Sequence, residues 1–265
     1  MAGLVILFII AMAVFLLQLR QTQAELEDTV QGIRDALTIR NEILEKLKTE
    51  LEKEGLQVTV LNDQGVLRLP EEGIRFNSGD VDPTDADRPS VGKLAQVLAQ
   101  VLPAYVSKFG ALDSSEVDAV AVEDPENPVD LSYCSSPSVS LDEVAPETSL
   151  QSRLETVLIE GHTDETRVAE GNRFQNNLEL SGMRASRIYR MLTRCEPVLL
   201  QLQNVSGEPI LGASGYGETR LVNQDEQASV DNRRIDLRFL MNLPLEILEA
   251  SETVGGEVEE GLNRD

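Results

Sequence analysis

Ile159-Glu160-Gly161-His162-Thr163-Asp164 is the stretch on which the fold turns. The apolar run Leu154 to Glu160 reads as a strand, and the Gly-His-Thr-Asp that follows breaks it into a loop. Asp164 therefore stands at a strand end, where its carboxylate can point into a surface cleft. The next periodic segment predicts a helix from about Gln175 to Leu192. It carries Asn177-Leu178-Glu179-Leu180-Ser181-Gly182-Met183-Arg184-Ala185. Asn177, Ser181 and Arg184 stand at i, i+4 and i+7, so they share one helix face. A carboxylate beside a guanidinium suits a zwitterionic ligand: the acid takes an ammonium, and the guanidinium fork takes a carboxylate through two parallel bonds. On the residues alone a second role stays open. Asp164 and Arg184 would then form a mutual salt bridge that only pins loop to helix.

Working outward, Gly215-Tyr216-Gly217 follows a strand near Pro209 to Ala213, and Asn232-Arg233-Arg234-Ile235-Asp236-Leu237 leads into a last strand, Ile235 to Met241. Strands separated by helices indicate an α/β or α+β layer with helices on one sheet face. Upstream, Gln57 to Leu61 and Val66 to Leu69 flank the turn Asn62-Asp63-Gln64-Gly65 and read as a hairpin. After Gly73 to Gly79 comes an acidic stretch with Asp80, Asp82, Asp85 and Asp87. Its spacing is not that of an EF-hand loop, and a solvated leader to the next helix is the expectation. That helix runs from Ser90 to Val106 on the stripe Leu94, Val97, Leu98, Val101 and Leu102. From about Gly110 to Ser149, Asp, Glu, Ser and Pro dominate, which marks an insertion. Cys134 and Cys195 lack metal or redox spacing; two free thiols and one disulfide both remain open, and an extracytoplasmic setting favours the bridge.

The four segments GHTD, NxxLSxxRA, GxG and NRR, in that order before the last strand, resemble the OmpA C-terminal-like (OmpA/MotB) family over roughly Leu67 to Met241. The resemblance implies an α+β sandwich, with helices on a mixed sheet, that binds peptidoglycan without catalysis or cofactor. In the family the matching Asp and Arg hold diaminopimelate of the stem peptide, which assigns that role to Asp164 and Arg184. Asn177 matches a residue of the same site, and Arg233 lies in a motif near it. The loop Glu165 to Arg173 is longer than the family's and is placed to fold over the cleft. His162 is the only histidine, so a zinc site or a catalytic relay has no second imidazole and a structural role is expected. Gly161 and Ala185 are expected to permit close packing, and Asn232 to brace the domain. No nucleophile, metal cluster or paired-carboxylate cleft supports a wall hydrolase.

The N-terminal part completes the plan. Ala2 to Leu17 is apolar and uncharged, near the lower limit for a membrane-spanning helix. It lacks the basic leader and small-residue cleavage site of a signal peptide, so an uncleaved anchor is expected over residues 1–18. From Gln18 to Glu54, Leu26, Val30, Ile33, Leu37, Leu44, Leu47 and Leu51 fall at alternating spacings of four and three, broken by Arg40. That spacing is a coiled-coil seam, predicting a parallel homodimer through residues 19–55; a helix packed on its own domain is the competing reading. The wall-binding domain is then expected over 56–245, with the insertion at about 110–149 and an acidic disordered tail at 246–265. The net charge of −23 and pI near 4.4 exclude nucleic acid as a partner.

One membrane helix, a dimerising linker and a wall-binding domain together resemble MotB-type stator subunits of the inner membrane, with the domain in the periplasm and a multi-span MotA-like partner. The membrane run further resembles the B subunits of the Zorya anti-phage system. Such subunits carry an ion-binding Asp near the start of the membrane helix, where an acid is kept only for transport. Here no acidic residue precedes Glu25, and the expectation is that a short upstream piece carries it. A passive membrane-to-wall tether is the alternative.

Overall fold

The structure is a computed structural model that describes residues 2–69, 73–106, 108–110, 132–134, 153–169 and 171–242. A single helix, α1, spans Ala2–Lys53. Val5 to Leu17 forms its apolar portion, and each large apolar side chain there is roughly half exposed or more, as on Leu7 at 71%. By length and composition this helix is apolar enough to cross a membrane. Farther along, Leu26, Val30 and Leu37 of the expected seam are exposed.

A compact unit runs from Ile39 to Met241 and takes in the last turns of α1. Ile43, Leu44, Leu47 and Leu51 are wholly buried in its core. The distal part of the heptad series thus packs on its own domain, the competing reading of the periodicity, and is not free to face a second chain. Arg40, which interrupts the series, lies over the hairpin turn and donates from Nη2 to the Asn62 carbonyl at 2.7 Å.

The hairpin forms as expected. Strand β1 (Thr59–Leu61) and strand β2 (Val66–Leu69) pair antiparallel across a 3-10 turn at Asn62–Gln64. Helix α2 (Arg88–Val101) starts with Pro89 in its first turn and ends in a 3-10 segment, Leu102–Tyr105, one turn earlier than the apolar stripe predicts. A short strand β3 (Lys108–Phe109) follows, then β4 (Leu154–Gly161), helix α3 (Asn177–Cys195), β5 (Leu202–Gln203), β6 (Leu211–Gly215) and β7 (Ile235–Met241). The main sheet has the order β1-β2-β7-β4-β6. Only β4 and β6 run parallel, joined through α3, so the sheet is mixed as the α+β reading requires. Strands β3 and β5 form a separate antiparallel pair that the sequence did not signal; each is only two residues long.

Local chemistry fixes α3. Asn176 caps it by accepting from the Glu179 amide at 2.9 Å, while Glu179 reaches back to the Gln175 amide at 2.7 Å. Glycine then sets the approach of α3 to the sheet. A Cβ on Gly161 would overlap the Ser181 carbonyl, and one on Gly215 would overlap the Gly182 backbone. The Gly of GHTD and the first Gly of GxG therefore let one helix lie directly on β4 and β6. Cys195, the last residue of α3, is joined to Cys134 in a disulfide with the Cα atoms 5.2 Å apart. Apart from residues 110 and 132–134, the acidic insertion lies outside the described residues, as does the 246–265 tail.

The acidic leader departs from expectation. Asp87 is nearly buried and takes a two-bond guanidinium pair from Arg75, at 2.9 and 3.1 Å, plus the Thr84 hydroxyl. Asp82 pairs with Arg187 of α3. Asp80 and Asp85, the latter paired to Arg88, stay exposed as solvated acids. Two of the four carboxylates are thus clamped by arginines, Asp87 by Arg75 and Asp82 by Arg187, 105 residues away.

Because Leu47 is core and Leu26 is not, Leu47→Ala should destabilise the Ile39–Met241 unit by about 2–5 kcal/mol. Leu26→Ala should change it by less than about 0.5 kcal/mol. Denaturant unfolding of the full chain in detergent reads both, and equal losses would contradict this division of α1.

Candidate functional site

The four residues singled out from sequence line one cleft of about 200 Å³: Asp164, Asn177, Arg184 and Arg233. They arrive from three parts of the chain. Asp164 follows the end of β4, Asn177 opens α3, Arg184 lies two turns farther along the same face, and Arg233 precedes β7.

Arg184 is only 1% exposed, an unusual burial for a guanidinium. Two of its nitrogens are spent on backbone: Nε donates to the Asp80 carbonyl at 2.8 Å and Nη2 to the Asn77 carbonyl at 2.9 Å. The Phe76 ring lies 4.8 Å beneath it. Its Nη1 is buried and has no protein acceptor. Burial, then the nearby Arg233 charge, lowers its pKa to about 10 against the opposing pull of Asp164 and Asp80. It remains a cation at neutral pH, with one buried nitrogen, Nη1, left without an acceptor.

The mutual Asp164–Arg184 salt bridge does not form. Asp164 pairs with Arg233, Oδ2 to Nη1 at 2.7 Å, and its Oδ1 accepts from the Thr166 amide at 3.0 Å. A carboxylate offers about four lone-pair directions, so these two bonds leave it able to accept more. Asn177 donates from Nδ2 to the Asp164 carbonyl at 3.3 Å and holds the backbone of the acid in place. The arrangement presents a fixed anion and a fixed cation to one small space, with no direct neutralisation of one by the other.

Sequence reasoning missed one whole wall. Ser78 and Gly79 line the cleft, and the carbonyls that orient Arg184 come from the same 77–80 segment. The long loop after Asp164, in contrast, was legible: Thr166, Arg167, Val168, Ala169 and Asn172 all border the cleft. Val168 packs with Val81, Phe174 and Leu180 in a small satellite cluster that anchors this loop. Asn232 braces the neighbouring loop as expected. Its side chain accepts from the Val222 and Asn223 amides and donates to the Asn223 and Gln227 carbonyls at 2.8–3.1 Å.

A second polar cluster lies near the first. His162, 1% exposed, stacks on Tyr216 at 5.5 Å, and Glu160 and Asp236 approach it. Ligand atoms of these three lie within 4.8 Å of one another, the spacing of a metal triad. Both acids are already engaged, however. Arg238 takes both Glu160 oxygens at 2.6 and 2.9 Å, and Arg68 takes both of Asp236 at 3.0 Å. Arg234 adds a third bond to Asp236 at 3.0 Å. A cation would have to displace guanidinium groups from every carboxylate, so no metal is assigned.

No known family model and no curated protein matches the chain in sequence. Among solved structures it is similar to a MotB-like protein from Desulfovibrio vulgaris, at 18% identity and TM-score 0.45, over 80% of this chain and 98% of that one. It is also similar to the periplasmic domain of Helicobacter pylori MotB, at 15% identity and TM-score 0.40, over 72% and 85%. A third is the cell wall anchor of the T6SS from Pseudomonas aeruginosa, at 16% identity and TM-score 0.41, over 76% and 97%. No functional statement follows from likenesses of this size.

The buried imidazole gives a pH signature. Burial first, then the Arg234 charge, lowers the His162 pKa from 6.5 to about 3. Between those values the unfolded chain binds the extra proton, so stability should fall as pH drops from about 6.5 toward 3. Asp236 and Asp87 also sit below their usual 3.8: burial would raise them, but guanidinium bonds outweigh it. They therefore add losses only below that value. Denaturant midpoints from pH 7 to 4 should slope for the native chain and flatten in His162→Gln; an unchanged slope would refute the assignment.

Proposed function

We propose that this chain anchors a membrane to the cell wall by gripping diaminopimelate of the peptidoglycan stem peptide. The observation that carries this reading is that Arg184, whose buried Nη1 has no acceptor, lines the same small cleft as Asp164. The ligand's backbone carboxylate would accept from Arg184, and its ammonium would approach Asp164 on the lone pairs left by Arg233 and Thr166. Asn177 keeps the acid in position, and Arg233 limits how far its charge can swing. The ordered motifs GHTD, NxxLSxxRA, GxG and NRR support the same ligand through the family they resemble.

In the finer reading the chain is a MotB-like stator subunit, possessing one inner-membrane helix and a periplasmic wall-binding domain. It would dimerise and pair with a multi-span MotA-like partner to conduct ions, in an anti-phage system of the Zorya type. Exposed Leu26, Val30 and Leu37 support a seam confined to the proximal part of the linker. In native membranes Leu26→Cys should form a disulfide-linked dimer, since both native cysteines are already bridged to each other. A linked yield no greater than for an exposed control such as Glu27→Cys would remove the seam. A passive membrane-to-wall tether without ion conduction is the alternative.

Pulldown with purified sacculi tests the wall grip. Asp164→Asn removes the charge for the ammonium and should weaken binding by about 30- to 1,000-fold, for about 2–4 kcal/mol. Arg184→Lys keeps the charge but loses the fork, and should weaken binding too. Native-like circular dichroism must accompany both losses, because Arg184 also ties down the 77–80 segment. Undiminished binding by Asp164→Asn would refute the assignment.

A further inference from the structure

We propose that the cleft bounded by Arg68, Arg220, Arg234, Arg238 and His162 binds a doubly charged oxyanion of the phosphate class. This cleft, of about 250 Å³, is separate from the Asp164 cleft and shares none of its lining residues. The adjacent arginines of the NRR motif divide between them: Arg233 lines the first and Arg234 the second.

The charge count is the first argument. Four guanidinium groups line the space, and two carboxylates, Glu160 and Asp236, answer them. His162 is neutral at physiological pH, so a surplus of two positive charges remains. A chain of net charge −23 has few arginines to spare for such a surplus. Unspent donors are the second argument. The Arg234 side chain is 3% exposed, and its Nη1 is buried without an acceptor. Both ring nitrogens of His162 are likewise buried and unpartnered, and a neutral imidazole must carry one N–H. Buried donors left open in an electropositive cleft call for an acceptor that supplies oxygens and charge together.

The surroundings favour an anion over a cation. Both carboxylates are held by guanidinium pairs, which leaves no free acid for a metal. The Arg220 group lies over the Tyr216 ring, 3.6 Å from its centre, and is 45% exposed, so it forms the accessible edge. A larger adjoining cleft shares Arg68 and Arg234 but adds Asp225 and Asp231. Those two acids are exposed, and neither is paired with Arg68 or Arg234, so water screens them and the surplus on the His162 side stands.

His162 is the chain's only histidine, so its ring resonance is a unique reporter. The full chain in neutral detergent would be titrated with inorganic phosphate, glycerol 1-phosphate and acetate at fixed ionic strength. Phosphate should shift the resonance saturably, and acetate should bind about tenfold or more weakly. Arg220→Gln should weaken phosphate by about tenfold or more, whereas Arg88→Gln, removing equal charge elsewhere, should not. Tighter binding of glycerol 1-phosphate identifies the source as a phosphomonoester; tighter inorganic phosphate identifies the free ion. The proposal is overturned by an unsaturable shift, by equal effects of the two variants, by acetate matching phosphate, or by zinc occupying the cleft instead.

Discussion

A guanidinium buried as deeply as that of Arg184 has to find its acceptors inside the protein, and this requirement organises one end of the domain. Two carbonyls of the 77–80 segment satisfy two of its nitrogens, so a loop from before α2 is held against a helix a hundred residues later in the chain. The same segment becomes one wall of the cleft, and the loop after Asp164 becomes the other. Phe76 supports the guanidinium from below. What the clamp leaves over is one nitrogen, Nη1, without an acceptor. Buried ion and hydrogen-bond pairs contribute little net stability, because desolvation offsets most of their attraction. Their value here is positional: they fix where a charge stands.

The same economy recurs across the domain. A strongly acidic chain would be expected to leave its carboxylates in water, yet Asp82, Asp87, Asp164, Glu160 and Asp236 are each met by an arginine. Arginine suits this role because its fork satisfies both oxygens of a carboxylate at once. The doublet Arg233-Arg234 shows the arrangement most compactly. Neighbouring side chains entering β7 take opposite directions, so one steadies Asp164 and the other joins the cluster around Asp236. Two clefts with separate linings thereby draw on one short motif.

Helix α1 shows how a single periodicity can serve two environments. Its heptad-like series reads as continuous, but Leu44, Leu47 and Leu51 are claimed by the domain core while Leu26 and Leu37 stay exposed. Arg40 marks the change, because its side chain bonds the turn of the β1–β2 hairpin. A polar residue that looks like a flaw in a seam is instead the point where the helix meets its own domain.

From sequence alone, the strand–loop–helix order around GHTD, the hairpin, the mixed-sheet class, the apolar helix and the four residues of the Asp164 cleft were all readable. These features rest on local periodicity, turn chemistry and short motifs, which act over a few residues and so leave a local trace. Tertiary structure alone decided which charges meet. It gave Asp164 to Arg233 and not to Arg184, placed the Asn77 and Asp80 carbonyls behind Arg184, and drew four arginines around His162. Arg233 and Asp164 lie 69 residues apart, Arg184 and Asp80 lie 104 apart, and Arg68 and Asp236 lie 168 apart. An ion pair is specified by where two strands come together in space, and nothing in the neighbouring sequence encodes that meeting.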